Sequence, residues 1–264
     1  MPSDSIPFDH AADYYDATRG FPPGVDQQVA ALIARAAGLD GSSRVLEVGV
    51  GTGRIALPLA RHVRQVVGID LARPMLDRLR AKRTDEPVWL VRGDAVHLPF
   101  RARVFDAALS VHVFHLIPAW REALAELARA LRIGGVLIYG NNRWGGHPGI
   151  DALNEAWRQA VPPEIDRGVG MPRGEEAAAF ESAGWEQIGE EQMIPFSVWL
   201  SPAEFIARLE QRRYSSTWRV TEEQLARGLA AVRAEIPRHF ADLATQVELK
   251  TGFALRVYRP PARP

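Results

Sequence analysis

Val45-Leu46-Glu47-Val48-Gly49-Val50-Gly51-Thr52-Gly53-Arg54 is the stretch that decides the fold, because an apolar run ends in an acid and three glycines follow at alternate positions. Residues 45–48 have the β-branched, apolar character of a buried parallel strand, and residues 55–62 are typical of the helix that packs back on it. The glycines then occupy the turn between them, where positive φ and close approach to a ligand favour residues without a Cβ. The stretch therefore predicts an α/β fold with a ligand-binding loop at a strand end.

The spacing of the glycines and the acid before them separate two kinds of cofactor loop. A dinucleotide loop has the spacing G-x-G-x-x-G, whereas Gly49, Gly51 and Gly53 follow G-x-G-x-G and are succeeded by Arg54. The carboxylate of Glu47 would repel a pyrophosphate on the helix N-terminus, but it suits a ligand with an ammonium group. S-adenosylmethionine carries that ammonium and no phosphate, so the loop favours this cofactor over NAD.

A second acid follows the next predicted strand, residues 65–69. Asp70 lies at about the distance of 20 residues from the glycine loop at which an acid accepts from ribose hydroxyls. An Asp here could also cap the next helix. Leu71 and Met75 follow within about one helical turn and could cover one face of an adenine ring, although a Met at this spacing often only fills a core.

The third and fourth predicted strands, residues 88–91 and 105–111, bring further candidates to the same edge of the sheet. Asp94 is placed to accept from the exocyclic amine of adenine, with an ordinary turn acid as the alternative. Ala95 and Ser110 are predicted to contact the cofactor as well. Because the carboxyl ends of parallel strands meet at one crevice, we expect all these residues to converge.

Taken together, these motifs resemble the class I S-adenosylmethionine-dependent methyltransferases, and within them the small-molecule group called type 11. The resemblance covers roughly the first 140 residues and implies S-adenosylmethionine as cofactor. It also implies an α/β fold with a Rossmann-like, doubly wound, seven-stranded sheet and helices on both faces. The last hairpin of that sheet, residues 185–194 and 247–258, is expected to reverse direction at one edge.

The N-terminal segment, residues 1–22, carries Tyr14, Tyr15 and Arg19. In the family that the chain resembles, this segment closes over the cofactor. That role would bring a tyrosine hydroxyl to the carboxylate or the sulfonium, and Arg19 to the methionine carboxylate. An amphipathic first helix with its aromatics in the core is the alternative, and the sequence does not say which tyrosine faces inward.

Two histidines, His112 and His115, follow the fourth strand, where related enzymes turn toward the substrate. Histidine titrates near neutrality and could accept the proton that a methylated hydroxyl loses, so both are candidate catalytic residues. Packing beside the cofactor is the alternative for each. We expect no metal site, because the chain has no cysteine and no motif of the H-E-x-x-H type.

Acceptor choice is expected to depend on residues 141–238, which hold substrate-side helices and the first hairpin strand. Helices are predicted at residues 151–161 and 173–183, and two more begin with capping sequences at Ser201 and Thr221. They would form a helical cap inserted near the edge hairpin. Aromatic side chains in this region could line an apolar pocket or pack in a core: Trp144, Trp157, Trp199, Tyr214 and Trp218.

Length and composition favour one domain over residues 1–264, with residues 23–140 as the cofactor-binding core and 239–264 as the final strand and tail. The formal net charge is zero, which argues against a nucleic-acid partner held by a broad basic face. No signal peptide and no apolar run of bilayer length is visible. We therefore expect a cytoplasmic protein with no membrane partner, while the oligomeric state stays undetermined.

The predicted activity is in-line methyl transfer to a small-molecule acceptor. Positioning should do most of the catalysis, because the leaving group is neutral and the donor carries its own positive charge. Two alternatives stay open: an aminopropyl transferase of the same fold, and a non-catalytic cofactor-binding or regulatory module. The sequence does not distinguish an oxygen, nitrogen or carbon acceptor.

Overall fold

The structure is a computed structural model that describes residues 8–9, 12, 14–144, 146–163, 169–214 and 217–262. Parts of the predicted N-terminal segment therefore lie outside the described residues, namely 1–7, 10–11 and 13. So do residues 145, 164–168 and 215–216 of the substrate-side region, and residues 263–264 of the tail.

Seven strands form one sheet in the order β3-β2-β1-β4-β5-β7-β6. They are β1 (Arg44–Val48), β2 (Gln65–Asp70), β3 (Val88–Arg92), β4 (Phe105–Val111), β5 (Leu131–Trp144), β6 (Glu186–Leu200) and β7 (Val247–Arg259). β1 runs parallel to β2 and β4, β2 to β3, and β4 to β5. The chain thus winds outward from β1 to β3 and returns to β4 beside β1. This switch of direction opens a crevice at the carboxyl ends of the central strands.

The α-helices of the described residues are α1 (Tyr15–Arg19), α2 (Val25–Ala36), α3 (Ala56–Leu59), α4 (Arg73–Lys82), α5 (Trp120–Ala130), α6 (Pro148–Ala160), α7 (Glu176–Ser182), α8 (Pro202–Glu210) and α9 (Glu222–Glu235). Short 3-10 turns lie at Phe114–Leu116 and Ile236–Arg238. With helices on both faces of the mixed sheet, the predicted seven-stranded, doubly wound α/β fold is confirmed. Within the described residues, no helix is both long and apolar enough to cross a bilayer.

The described residues divide into two compact units. The first comprises residues 1–141, 169–194 and 253–264, and the second residues 142–168 and 195–252. In the first unit, α5 buries Trp120, Ala123, Leu124 and Leu127, which recur at the spacing of one helix face. The predicted single domain and the predicted helical cap over the functional edge stay predictions.

The second unit has an apolar core of its own. Leu153, Trp157, Phe205, Leu229 and Val232 are buried in it. Of the aromatics predicted to line a pocket or a core, Trp157 is therefore a core residue, whereas Trp199 is 62% exposed. The side chain of Trp144 lies outside the described atoms.

Both predicted capping sequences are confirmed in the second unit. Ser201 and Glu204 form a reciprocal capping box at the start of α8, and Thr221 and Gln224 form one at the start of α9. Each box satisfies two backbone N–H groups that the first helical turn leaves without a partner.

Several predicted boundaries are wrong for local reasons. α3 is shorter than the predicted helix over residues 55–62. The N–H groups of Arg61 and His62 donate to carbonyls three residues back rather than four, so the chain leaves α-helical geometry. α7 begins only at Glu176, since Gly174 has φ +82°, which a helix does not allow. α6 begins three residues early, because the side chain of His147 caps its first turn.

Candidate active site

A cleft in the first unit lies at the carboxyl ends of the four parallel strands β1 to β4. It encloses about 660 Å³, a volume that includes space open to solvent. The lining comes from the N-terminal segment, the loops after β1, β2 and β3, and the chain after β4. The lining residues are Phe8, Tyr15, Gly49, Gly51, Ile69, Asp70, Leu71, Met75, Gly93, Asp94, Ala95, Val111, His112, Val113, Leu116 and Ile117.

All three loop glycines have positive φ, but they differ in what a Cβ would contact. A Cβ on Gly49 would collide with the side chain of Val113, and one on Gly53 with that of Leu79. Among the described residues, a Cβ on Gly51 would meet no atom closer than 3.9 Å. Packing therefore requires the first and third glycines, whereas Gly51 faces open space in the cleft. Gly53 is not among the lining residues, so its predicted contact with the cofactor stays a prediction.

Asp70 holds the glycine loop and the start of α4 together. Its Oδ2 accepts from the N–H of Gly51 at 2.8 Å, and its Oδ1 accepts from the N–H of Ala72 at 2.9 Å. Burial raises the pKa of this carboxyl, while these backbone hydrogen bonds act in the opposite direction. Asp70 does not cap α4, whose N-cap is Ala72 and has no side-chain capping bond. Because each carboxylate oxygen can accept a second hydrogen bond, its contacts with Gly51 and Ala72 leave capacity for ribose hydroxyls.

Glu47 is the buried acid at the end of β1. Its side chain is 3% exposed, and its Oε2 has no hydrogen-bond partner among the described residues. Burial raises the pKa of Glu47 to about 8, while the charge of Arg54 opposes the shift and that of Asp70 adds to it. A buried acceptor without a partner fits a ligand that brings a positive charge. Glu47 is not among the lining residues, so this role stays a prediction.

The remaining predicted adenine-side residues are brought together. Leu71, Met75, Asp94 and Ala95 all line the cleft, although Met75 is also 1% exposed and belongs to the core. Asp94 accepts from the N–H of Val96 at 3.1 Å, so it forms the turn that was the alternative to cofactor contact and still faces the cleft.

Ser110 is another predicted contact that does not line the cleft. It is fully buried in β4 beside Tyr139 of β5, and its Oγ has no hydrogen-bond partner within the described part of the chain.

Of the N-terminal candidates, the structure brings Tyr15 to the cleft. Its ring meets that of Phe8 edge-on, with 6.1 Å between the centroids. Tyr14 and Arg19 are not lining residues. The carbonyl of Tyr14 accepts from Thr18 Oγ1, and that of Arg19 accepts from Arg54 Nη1.

The two histidines differ in position. His112 lines the cleft with φ +57°, a strained conformation for a residue with a Cβ. His115 lies in the 3-10 turn and does not line the cleft; burial, aided by the charges of Arg173 and Arg19, lowers its pKa to about 3. His115 is therefore neutral and only weakly basic at pH 7, which makes His112 the better-placed candidate of the two.

Sequence reasoning missed an apolar wall formed by Val111, Val113, Leu116 and Ile117. Its only local signal is apolar spacing after β4, which equally fits a core. Gly93 also lines the cleft and was missed, although it directly precedes Asp94. Among the described residues, no group of three or more His, Asp or Glu side chains is arranged to hold a metal ion.

The cleft combines a glycine loop after a central parallel strand with acids at the ends of neighbouring strands. This combination defines a doubly wound cofactor-binding domain. Residues 46–139 match the type 11 family model described as a methyltransferase domain. This part of the chain is therefore similar to the methyltransferase domains of that family, in agreement with the resemblance that its motifs indicated.

Two relatives are similar to part of the chain. The phthiotriol/phenolphthiotriol dimycocerosates methyltransferase of Mycobacterium tuberculosis is 32% identical over 139 residues, 49% of this chain and 52% of that protein. The fatty-acid O-methyltransferase of Mycolicibacterium smegmatis is 41% identical over 102 residues, 38% of this chain and 37% of that protein. The chain thus spans about half or less of the length of these relatives.

The YcgJ protein of Bacillus subtilis has a similar fold. The comparison gives a TM-score of 0.58 at 19% identity and covers 89% of this chain and 99% of that chain. At this identity the likeness shows the fold alone.

Proposed function

We propose that the protein is an S-adenosylmethionine-dependent methyltransferase that acts on a small molecule with an apolar body. The observation that carries this proposal is the convergence of Gly51, Asp70 and Asp94 on one cleft, from the ends of three neighbouring strands. Oε2 of Glu47, buried at the end of β1 and without a hydrogen-bond partner in the described part of the chain, supports a cationic ligand at the same edge.

Each of these groups has a distinct part in holding the cofactor. Asp70 accepts from the ribose hydroxyls, and Asp94 accepts from the adenine amine. Leu71 and Met75 cover the adenine ring with apolar surface, and Glu47 complements the ammonium group electrostatically. Gly51 lets the loop backbone approach without a Cβ in the way.

The chemistry asks the protein mainly to position the reactants. S-adenosylmethionine supplies a methyl group on a sulfonium, and the leaving group is neutral. The wall of Val113, Leu116 and Ile117 excludes water and orients the acceptor, and Tyr15 closes the cleft from the N-terminal side. For an acceptor that must lose a proton, His112, which lines the cleft, is the candidate base.

The apolar wall and the names of the relatives support the same acceptor class. One relative is named for a lipid and the other for fatty acids. We therefore propose an acceptor with an extended apolar portion. We also propose that the protein acts in the cytoplasm. The zero net charge of the chain supports the absence of a nucleic-acid partner.

Calorimetric titration with S-adenosylmethionine, S-adenosylhomocysteine and NADH tests the cofactor. We expect the first two to bind and NADH not to bind. Methyl transfer from labelled S-adenosylmethionine to a fatty acid, a long-chain alcohol and a quinol then tests the activity.

Binding of NADH alone would refute the cofactor assignment. Tight cofactor binding without transfer to any acceptor class would favour the non-catalytic module, and an aminopropylated product from decarboxylated S-adenosylmethionine and a polyamine would identify the other alternative.

A further inference from the structure

The helix α1 is fastened to the glycine loop by a carboxylate that lies outside the cleft lining. Asp16 Oδ1 accepts from the hydroxyl of Thr52 at 2.6 Å, and Asp16 Oδ2 accepts from Lys82 Nζ at 2.9 Å. Thr52 stands between two of the loop glycines, and Lys82 is the last residue of α4. Asp16 therefore joins three separate elements of the first unit.

A second connection joins the end of α1 to the same loop. Arg54 Nη1 donates to the carbonyl of Arg19 at 2.6 Å, and the guanidinium carbon lies 4.4 Å from the centroid of the Phe21 ring. A helix of only five residues is not stable by itself. The position of α1 accordingly depends on these side-chain connections to positions 52 and 54 of the loop.

The two contacts of Asp16 differ in strength. The side chains of Lys82 and Asp16 are 37% and 48% exposed, and an ion pair this exposed contributes little. Thr52 is 1% exposed, so its hydroxyl is shielded from water, and its bond to a carboxylate is of the short, charge-assisted kind. The bond to Thr52 is therefore the stronger restraint on α1.

We propose that Asp16 is a positioning residue, which holds the adjacent Tyr15 at the cofactor cleft through its bond to Thr52. Tyr15 lines the cleft, whereas Asp16 does not. Loss of the bond would release Tyr15 from the wall of the cleft while Gly51 and Asp70 keep their own hydrogen bond. The inference rests on the proposed function, because the retained ligand is S-adenosylmethionine or its product.

The test compares Thr52→Val, which removes the hydroxyl at nearly constant shape, with Thr52→Ser, which retains it. Lys82→Met serves as a matched control that removes only the exposed ion pair. Hydrogen exchange of the Thr18 and Gly20 amides reports on α1 without any ligand, because these amides donate to Tyr14 and Asp16 within this segment. Stopped-flow dissociation of S-adenosylhomocysteine reports on retention in the cleft.

We expect Thr52→Val to speed exchange of both amides and to raise the dissociation rate about 10-fold, the scale of a lost hydrogen bond to a charged group. Thr52→Ser should restore both values, and Lys82→Met should change each less than 3-fold, as for an exposed pair.

Unchanged amide exchange in a folded Thr52→Val would overturn the proposed restraint. Faster exchange with unchanged dissociation would overturn its role at the cleft. Failure of the wild-type protein to bind S-adenosylhomocysteine would refute the proposed function, and the positioning role with it, while the exchange data would still report on the restraint itself.

Discussion

The carboxylate of Asp70 accepts a hydrogen bond from the N–H of Gly51, with 2.8 Å between Oδ2 and N. The acid at the end of β2 thereby sets the shape of the loop that follows β1. Its other oxygen holds the N–H of Ala72 at the start of α4. One side chain thus orders the backbone of the cleft and also presents acceptor capacity to a ligand.

Asp70→Ala should weaken binding of S-adenosylmethionine by about 10- to 100-fold, or about 1–3 kcal/mol, because a charged acceptor and the loop restraint are lost together. Calorimetric titration measures the change. Asp77→Ala is the matched control, since Asp77 is a half-exposed acid on α4 that pairs with Arg73 and Arg80. Equal affinities for both variants would remove Asp70 from the binding site.

Glu47 should release a proton when the cofactor binds. With a pKa raised by burial to about 8, its carboxyl is mostly protonated at pH 7. A ligand ammonium favours the ionised form, so affinity should rise between pH 6 and pH 8. Calorimetry at pH 7 in buffers of different ionisation enthalpy counts the protons released. Glu47→Gln should bind more weakly and abolish the release, whereas release that persists in this variant would assign the proton to another group.

Glu47 should also lower the stability of the ligand-free protein at alkaline pH. Its pKa is higher in the folded state than the ordinary value of 4.5, so its favourable contribution is complete below pH 4.5 and is lost as pH rises toward 8. Glu47→Gln should therefore gain stability over wild type as pH increases from 5 to 8.5. Denaturant unfolding across this range measures the difference, and a pH-independent difference would contradict the shifted pKa.

Gly51→Ala should abolish cofactor binding while the protein stays folded. Its φ is +55°, and a Cβ there would meet no atom of the described residues closer than 3.9 Å, so the cost to folding is about 1 kcal/mol of backbone strain. Gly38→Ala is the matched control, because Gly38 has φ +61° and open surroundings but does not line the cleft. We expect similar thermal shifts for both variants and loss of binding only for Gly51→Ala. Retained binding would show that this glycine serves the turn alone.

His115 should stay neutral throughout the physiological pH range. Burial and the charges of Arg173 and Arg19 lower its pKa to about 3. Its imidazole resonance, assigned by its loss in His115→Gln, should show no titration between pH 5 and pH 8. A midpoint near 6.5 would restore His115 as a candidate base beside His112.

The sequence determined the parts of the site that depend on local backbone constraints. An apolar run, an acid and alternate glycines specify a strand, its end and a turn of positive φ, so the glycine loop and Asp70 could be placed before any tertiary contact was known. Asp94 followed by the same logic, because the ends of parallel strands meet at one edge.

Only the tertiary structure decided which side chains reach the cleft and which support it. Tyr15 rather than Tyr14 lines the cleft, and Gly53 packs against the side chain of Leu79 instead of lining it. Asp16 accepts a hydrogen bond from Thr52, which is 36 residues away in the sequence. Neighbouring residues on a short helix point in different directions, so the packing of the helix selects the inward one. Contacts between residues distant in sequence depend on how the elements pack, which no local pattern encodes.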